Sequence, residues 1–352
     1  MIKDTLGDIA SKKIARVGGA GFIGHNLALE LKKRGADVTI IDSFMVNNLY
    51  SFQKSADTIP NSSLYLNILN ERIRLLEENK IPVIEADSRD YHKICEVLGH
   101  IKPEVIVHLA AVAHANISNK DPRSTFDHSL RTLENTLDFA RHNKTKHFIY
   151  FSSSMVYGNF VEGIVDEKTV CEPLGIYGAL KFAGEKMVIA YNQVFGLPYT
   201  IIRPSALYGE RCVSRRVGQI FVENAISGLD ISVNGDGSDR VDFTYIGDLV
   251  QGIIRTIAHE GAKNQIFNLT YGHSRSLAEM TDIIQKHFPE VKIKFLPKDN
   301  LMPDRGTLSI EKAKKLIGYD PQNPLETGFV KYIEWYRQLF KNLKPEKAST
   351  KV

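Results

Sequence analysis

Short continuous apolar runs alternate along the chain with segments whose apolar residues recur every three to four positions. The runs are Ile14 to Val17, interrupted by Arg16; "DVTIID", Asp37 to Asp42; "PVIEAD", Pro82 to Asp87; "EVIVHLAA", Glu104 to Ala111; "HFIYFSS", His147 to Ser153; and "YTIIRP", Tyr199 to Pro204. Unbroken Val/Ile runs suit strands covered on both faces, as in a parallel sheet, and the helical stretches between them would supply the cover. The pattern predicts an α/β fold, a doubly wound parallel sheet of Rossmann type. From about Leu207 the regularity weakens, and loops such as "VNGDGSDR" and "LPKDNLMPDRG" alternate with helices. This predicts a smaller C-terminal substrate-binding lobe, interleaved with the first, with residues 1–206 mainly in one unit and 207–345 mainly in the other.

The first strand runs into "GGAGFIGH" and then an amphipathic segment, which reads as strand, tight turn and helix. Gly18, Gly21 and Gly24 give the spacing G-x-x-G-x-x-G. Glycines there let the backbone approach a pyrophosphate, whose charge meets the free N–H groups of the helix N-terminus. Asp42 strengthens the reading, because it stands 18 residues after Gly24 at the end of the next strand, where an acid would hydrogen-bond an adenosine ribose. Its charge would repel a 2′-phosphate, so NAD is favoured over NADP.

In "YGALK", Tyr177 and Lys181 stand four apart in a helical segment and therefore on one face. An ammonium near a phenol favours the phenolate, which can take a proton from a substrate hydroxyl as hydride leaves the same carbon. Ser153, in "FSSSMVYG" at the end of a predicted strand, offers a hydroxyl to hold the reacting oxygen.

Composition narrows the setting. With 352 residues, 43% of them hydrophobic, the chain can bury a substantial core. No apolar run approaches the roughly 18 to 20 residues that cross a bilayer, and the N-terminus lacks the apolar centre of a signal peptide, so a cytoplasmic location without membrane contact is expected. Cys95, Cys171 and Cys212 are isolated and show no metal spacing, so no metal site is expected. The net charge of +4 is nearly balanced, and the basic clusters, "SRRVGQ" and "KNLKPEK", lack interleaved aromatics, which argues against a nucleic-acid partner.

The ordered motifs "GGAGFIG", "HLAA", "SSSMVYG", "YGALK" and "LYGE" resemble the extended short-chain dehydrogenase/reductase family, in its nucleotide-sugar epimerase/dehydratase branch, from about Lys13 to Phe340. The resemblance implies that Gly18, Gly21, Phe22, Ile23 and Gly24 cradle the NAD pyrophosphate, that Asp42 and Ser43 bind the adenosine ribose, and that Asp87 and Ser88 reach the adenine. It implies that Ala110 and Ala111 line the cofactor, and that Ser153, Tyr177 and Lys181 are catalytic, Lys181 also holding the nicotinamide ribose. A nucleoside-diphosphate sugar is the implied partner. A homodimer is implied as well, through the helices of "STFDHSLRTLENTLDFARH" and "YGALKFAGEKMVIAYNQVFG".

Dehydratases of this kind carry an acidic pair after the catalytic hydroxyl, for elimination across C5 and C6; here those slots hold Ser154 and Met155, which cannot do acid/base work at neutral pH. The chain therefore resembles a 4-epimerase, with a net 4-dehydrogenase using the same residues as the alternative. Several positions depart from the family pattern. Val17 replaces a loop threonine, Ala206 an asparagine in "N-x-Y-G", and His128 an asparagine, where a helix-surface or packed role is expected. The arginine of "DGSDRVDFTYIGD" falls at Arg240, with Val241 in the usual slot. Arg240 stays a candidate substrate contact, and diphosphate contacts are expected instead from Arg305, or from Arg215 and Arg216. Arg16, in a strand covered on both faces, is expected to snorkel to an acidic neighbour or to be tolerated at some loss of stability.

Overall fold

The computed structural model describes residues 9–54, 61–161, 163–297 and 303–343. Seven strands form its central sheet: β1 Lys13–Val17, β2 Asp37–Asp42, β3 Val83–Glu85, β4 Val105–His108, β5 His147–Phe151, β6 Tyr199–Arg203 and β7 Gln265–Asn268. They lie in the order β7-β6-β5-β4-β1-β2-β3, all parallel. The sheet winds outward in both directions from β1 and β4, so a crevice opens between the loops that follow those two strands.

The helices that position the site are α1 Phe22–Lys33, α2 Ser62–Glu78, α3 Tyr91–Ile101, α4 Thr132–His142, α5 Gly175–Phe195, α6 Val217–Ile226, α7 Ile246–Ala258 and α8 Leu325–Leu343. Alternate residues of each strand feed opposite cores, because side chains in a strand point to alternate faces. Ile14, Ile40 and Val107 pack beneath Leu27 and Leu31 of α1 and Leu249 and Ile253 of α7. Ala15, Val17, Ile41 and Ile106 pack beneath α3, α4 and α5.

A third core belongs to the smaller lobe, built on Phe221 and Val222 of α6 and on Phe329, Tyr332 and Tyr336 of α8. The two halves exchange elements. Strand β7 returns from the second half to complete the first sheet, and α7 covers that sheet beside α1. In the other direction α2 gives Leu64, Tyr65, Ile68 and Leu69 to the third core. There Glu223 accepts hydrogen bonds from Tyr65 Oη and Tyr336 Oη, both at 2.7 Å, and from Gln219 Nε2 at 2.8 Å.

Two expectations need correction. Arg16 does not snorkel: it is fully buried between β2 and β4, and none of its three guanidinium nitrogens has a hydrogen-bond partner among the described residues. Its strand is central, the side chain lies on the apolar face shared with Ile14, and burial pushes its pKa down to about 9. The segment 124–142 is not one regular helix either, because a π-helical turn at Asp127–Arg131 precedes α4. Among the described residues no helix is long and apolar enough to cross a membrane. The basic cluster that begins at Lys341 runs, from residue 344, outside the described residues.

Candidate active site

The loop after β1 is shaped by close backbone contacts. Gly18 has φ +74°, and a Cβ there would lie 2.5 Å from Ala110 N; one on Gly24 would lie 2.2 Å from Gly19 O. These two glycines let the loop sit against the β4 loop and let α1 start directly beneath it. Gly21 differs, since a Cβ on it would meet nothing nearer than Gly18 O at 3.6 Å. Gly21 is also the N-cap of α1, and no side chain caps that end. The open N–H groups, the positive end of the helix dipole and the open space that a missing side chain leaves above Gly21 fit a pyrophosphate.

Gly18, Gly21, Phe22, Ile23, Gly24, Asp42, Ser43, Asp87, Ser88, Ala110 and Ala111 all line one cleft above this loop. Asp42 is nearly buried. Its Oδ2 accepts from Ala20 N and its Oδ1 from Phe44 N, both at 2.8 Å, and burial raises its pKa against the pull of those donors. Each carboxylate oxygen keeps lone-pair capacity for a ribose hydroxyl. Asp87 is paired with the Arg89 guanidinium, and the Ser88 carbonyl accepts from Asn135 Nδ2 at 2.9 Å. His128, in the π-helical turn, is half-buried and lines the cleft; burial and Arg89 lower its pKa. Sequence reasoning missed Asn47, Asn48 and Arg72, which also line the cleft and have no diagnostic spacing.

A second cavity, of about 610 Å³, adjoins the cleft; Ile23, Leu109, Ala111, Leu207 and Arg216 border both. Ser153, Tyr177 and Lys181 line it together, and all three are nearly buried. Ser153 follows β5, and its Oγ accepts from Met155 N at 3.2 Å, which leaves the hydroxyl hydrogen free for a ligand oxygen. Lys181 donates from Nζ to Phe151 O at 2.6 Å, and Nζ stands 5.2 Å from the Tyr150 ring centroid. Burial brings Lys181 down to about 8, with Glu185 acting in the opposite direction.

One helical turn further along α5, Glu185 forms a buried pair with Arg203 of β6, at 2.9 Å to Nε and 2.7 Å to Nη2, and also accepts from the Ser152 hydroxyl. The Arg203 guanidinium rests 4.8 Å over the Tyr157 ring. This network joins α5 to the ends of β5 and β6 and so fixes Ser153 relative to Tyr177.

Ser154, Met155, Arg215, Arg216, Arg240 and Arg305 line the same cavity. Arg216 Nη2 donates to Ala113 O at 3.0 Å, while Arg240 is held by Ser274 and lies 3.6 Å from Glu279. Ala206 has φ +38°, a left-handed conformation that asparagine tolerates better than alanine, which accounts for the residue expected there. His114, Asn116, Gln219, Ser232 and Asn234 add to the polar lining and were not legible in the sequence, being scattered over separate elements.

Residues 17–270 match the model of the NAD dependent epimerase/dehydratase family. The chain is 29% identical over 342 residues to UDP-glucuronate 4-epimerase 1 of Arabidopsis thaliana, covering 91% of this chain and 75% of that one. It is 29% identical over 333 residues to the uncharacterized UDP-glucose epimerase YtcB of Bacillus subtilis, covering 93% and 99%. Among solved structures, UDP-glucuronic acid 4-epimerase from Bacillus cereus, in complex with UDP-glucuronic acid and NAD, superposes with a TM-score of 0.82 at 25% identity, over 93% of this chain and 99% of that one. The match spans the glycine loop, the strand carrying Ser153 and the helix carrying Tyr177 and Lys181: the chain belongs to the NAD dependent epimerase/dehydratase family.

Proposed function

We propose that the protein is an NAD-dependent nucleotide-sugar 4-epimerase in which Ser153, Tyr177 and Lys181 act on the 4-hydroxyl. The observation that carries this reading is that these three side chains line one cavity contiguous with the glycine-loop cleft, while Ser154 and Met155 stand where elimination would need acids. The similarity to UDP-glucuronate 4-epimerase 1 of Arabidopsis thaliana and to the UDP-glucuronic acid 4-epimerase of Bacillus cereus supports the same class of substrate.

NAD, held by the glycine loop, Asp42, Ser43, Asp87, Ser88, Ala110 and Ala111, would supply the hydride acceptor and donor. Tyr177 takes the proton of the 4-hydroxyl and returns it to the reduced oxygen. Lys181 places its charge behind the phenol and favours the phenolate. Ser153 donates its hydroxyl hydrogen to the oxygen at C4 as it becomes a carbonyl, holding that oxygen while the configuration is reset. Arg215, Arg216 and Arg240 supply the positive charge that a diphosphate requires. Residues 1–206 thus mainly hold the dinucleotide and 207–345 mainly the nucleotide sugar, the last two lying outside the described residues.

We also infer a homodimer, through α5 and the helical segment that ends in α4, and a reducing, cytoplasmic setting, with which the three unbonded cysteines are compatible.

The test is the product formed from UDP-, GDP-, CDP- and dTDP-hexoses and heptoses. Unchanged mass with inverted C4, and C4 deuterium retained at the same carbon, is the expected result. Loss of two hydrogens with formation of NADH would make the protein a 4-dehydrogenase, and loss of one water would overturn the reading of Ser154 and Met155.

A further inference from the structure

Arg305 stands apart from the other cations of the cavity. Its Nη1 donates to Ser154 O at 3.1 Å, its Nη2 donates to Ser154 Oγ at 3.3 Å and lies 2.8 Å from Met155 Sδ, and its guanidinium sits 5.5 Å over the Phe160 ring. It is therefore fixed to the turn that directly follows Ser153, at the reacting end of the cavity. Arg203, Arg211, Arg240 and Arg89 each face a carboxylate, whereas no ion pair joins Arg305 to an acid among the described residues. The charge of Arg216 and the phenol of Tyr177 both act on it electrostatically.

The charge of the whole lining points the same way. Lys181, Arg215, Arg216, Arg240 and Arg305 face the cavity, and Asp239 is the one acidic residue among its lining residues. A diphosphate accounts for the arginines away from the turn, and Lys181 serves Tyr177. Arg305 is left on the turn that follows Ser153, with N–H donors in excess of those spent on Ser154 and Met155. Arg305 is half-buried, and a cation partly withdrawn from water without a carboxylate partner is ready to receive one from a ligand.

We infer that Arg305 selects a nucleotide sugar that carries a carboxylate next to C4, a hexuronate, over its neutral counterpart. C4 of a hexopyranose is bonded to C3 and C5, and C5 is the neighbour whose exocyclic carbon can be a carboxylate. A planar guanidinium matches a carboxylate's two oxygens, and a hydroxymethyl group offers it neither the charge nor the geometry. This inference rests on the reading of the cavity as a nucleotide-sugar site.

The experiment compares kcat/KM for C4 epimerisation of the glucuronate and glucose forms of one nucleotide in the wild-type protein, Arg305→Met and Arg305→Lys. The wild-type protein should favour the uronate by tenfold or more. Arg305→Met should cut that ratio by about 30-fold, the size of one lost charge-assisted hydrogen bond, with Arg305→Lys recovering part of it. Thermal protection of the wild-type protein by each nucleotide sugar gives the same comparison without a variant, should Arg305→Met fail to fold. An equal loss for both sugars would make Arg305 a diphosphate ligand, and an unchanged ratio would make it a brace for Ser154; either overturns the inference, as does a wild-type preference for the neutral sugar. Turnover of neither sugar with any of the four bases would instead overturn the epimerase reading on which it rests.

Discussion

Lys181 is the residue whose environment makes the sharpest prediction. Its pKa is brought down to about 8 by burial, so its charge is lost as pH rises through that value. In the proposed mechanism the positive charge that assists proton removal goes with it, and kcat/KM should fall above about pH 8. Stability should move in the opposite direction. The unfolded chain holds this proton up to roughly pH 10, so between the two values the unfolded state binds more protons and folding gains with rising pH. Denaturant titrations across that window should show the gain in the wild-type protein and its loss in Lys181→Met. Arg16 makes a related case without a catalytic role. Its guanidinium is buried with no partner among the described residues, and exchange of such a charge for an apolar side chain of similar reach should stabilise the fold by about 1–4 kcal/mol. Arg16→Val and Arg16→Met should therefore raise Tm and leave turnover intact; a lower Tm in both would show that the charge has a partner in the working enzyme.

Among the elements, what could be read from sequence is what repeats locally. Strands β2, β5 and β6 begin where their apolar runs do, because a strand buried on both faces needs an unbroken run. Strand β7 escaped notice: "QIFN" is four residues long and bounded by polar positions, and only its place beside β6 makes it a strand. The glycine loop and the Tyr177/Lys181 pair were legible for the same local reason, since a turn and a helix face each fix spacing within a few residues. Arg305 was visible as a cation but not in its role, because its contact with Ser154 joins residues 151 apart. The π-turn that carries His128 was not legible, because a one-residue excess within a helix leaves no mark on the spacing of apolar positions.

At the scale of the molecule, the outward surface of α5 carries the oligomeric prediction. Val194 and Phe195, near its end, are 70% and 50% exposed, and Phe126, in the helical turn before the π-turn, is 46% exposed. Apolar side chains placed outside on two neighbouring helices suit a second copy of the same surface. Sedimentation at micromolar concentration should give a dimer, and Phe195→Glu should shift it toward monomer; a wild-type protein that sediments as monomer would remove the inference.

The exchange of elements between the halves bears on how the chain comes to be folded at all. Helix α2 is synthesised well before α6 and α8, yet Leu64, Tyr65, Ile68 and Leu69 belong to the core those helices build, and the Tyr65 hydroxyl meets Glu223 of α6. During synthesis that helix must wait, with Leu64, Ile68 and Leu69 uncovered, for roughly half the chain still to emerge, and the first sheet likewise waits for β7 at its edge. Contacts so distant in sequence are slow to form and leave sticky surface open meanwhile. A fragment ending near residue 206 should therefore emerge as an aggregation-prone intermediate needing its other half, rather than as a free-standing dinucleotide-binding module.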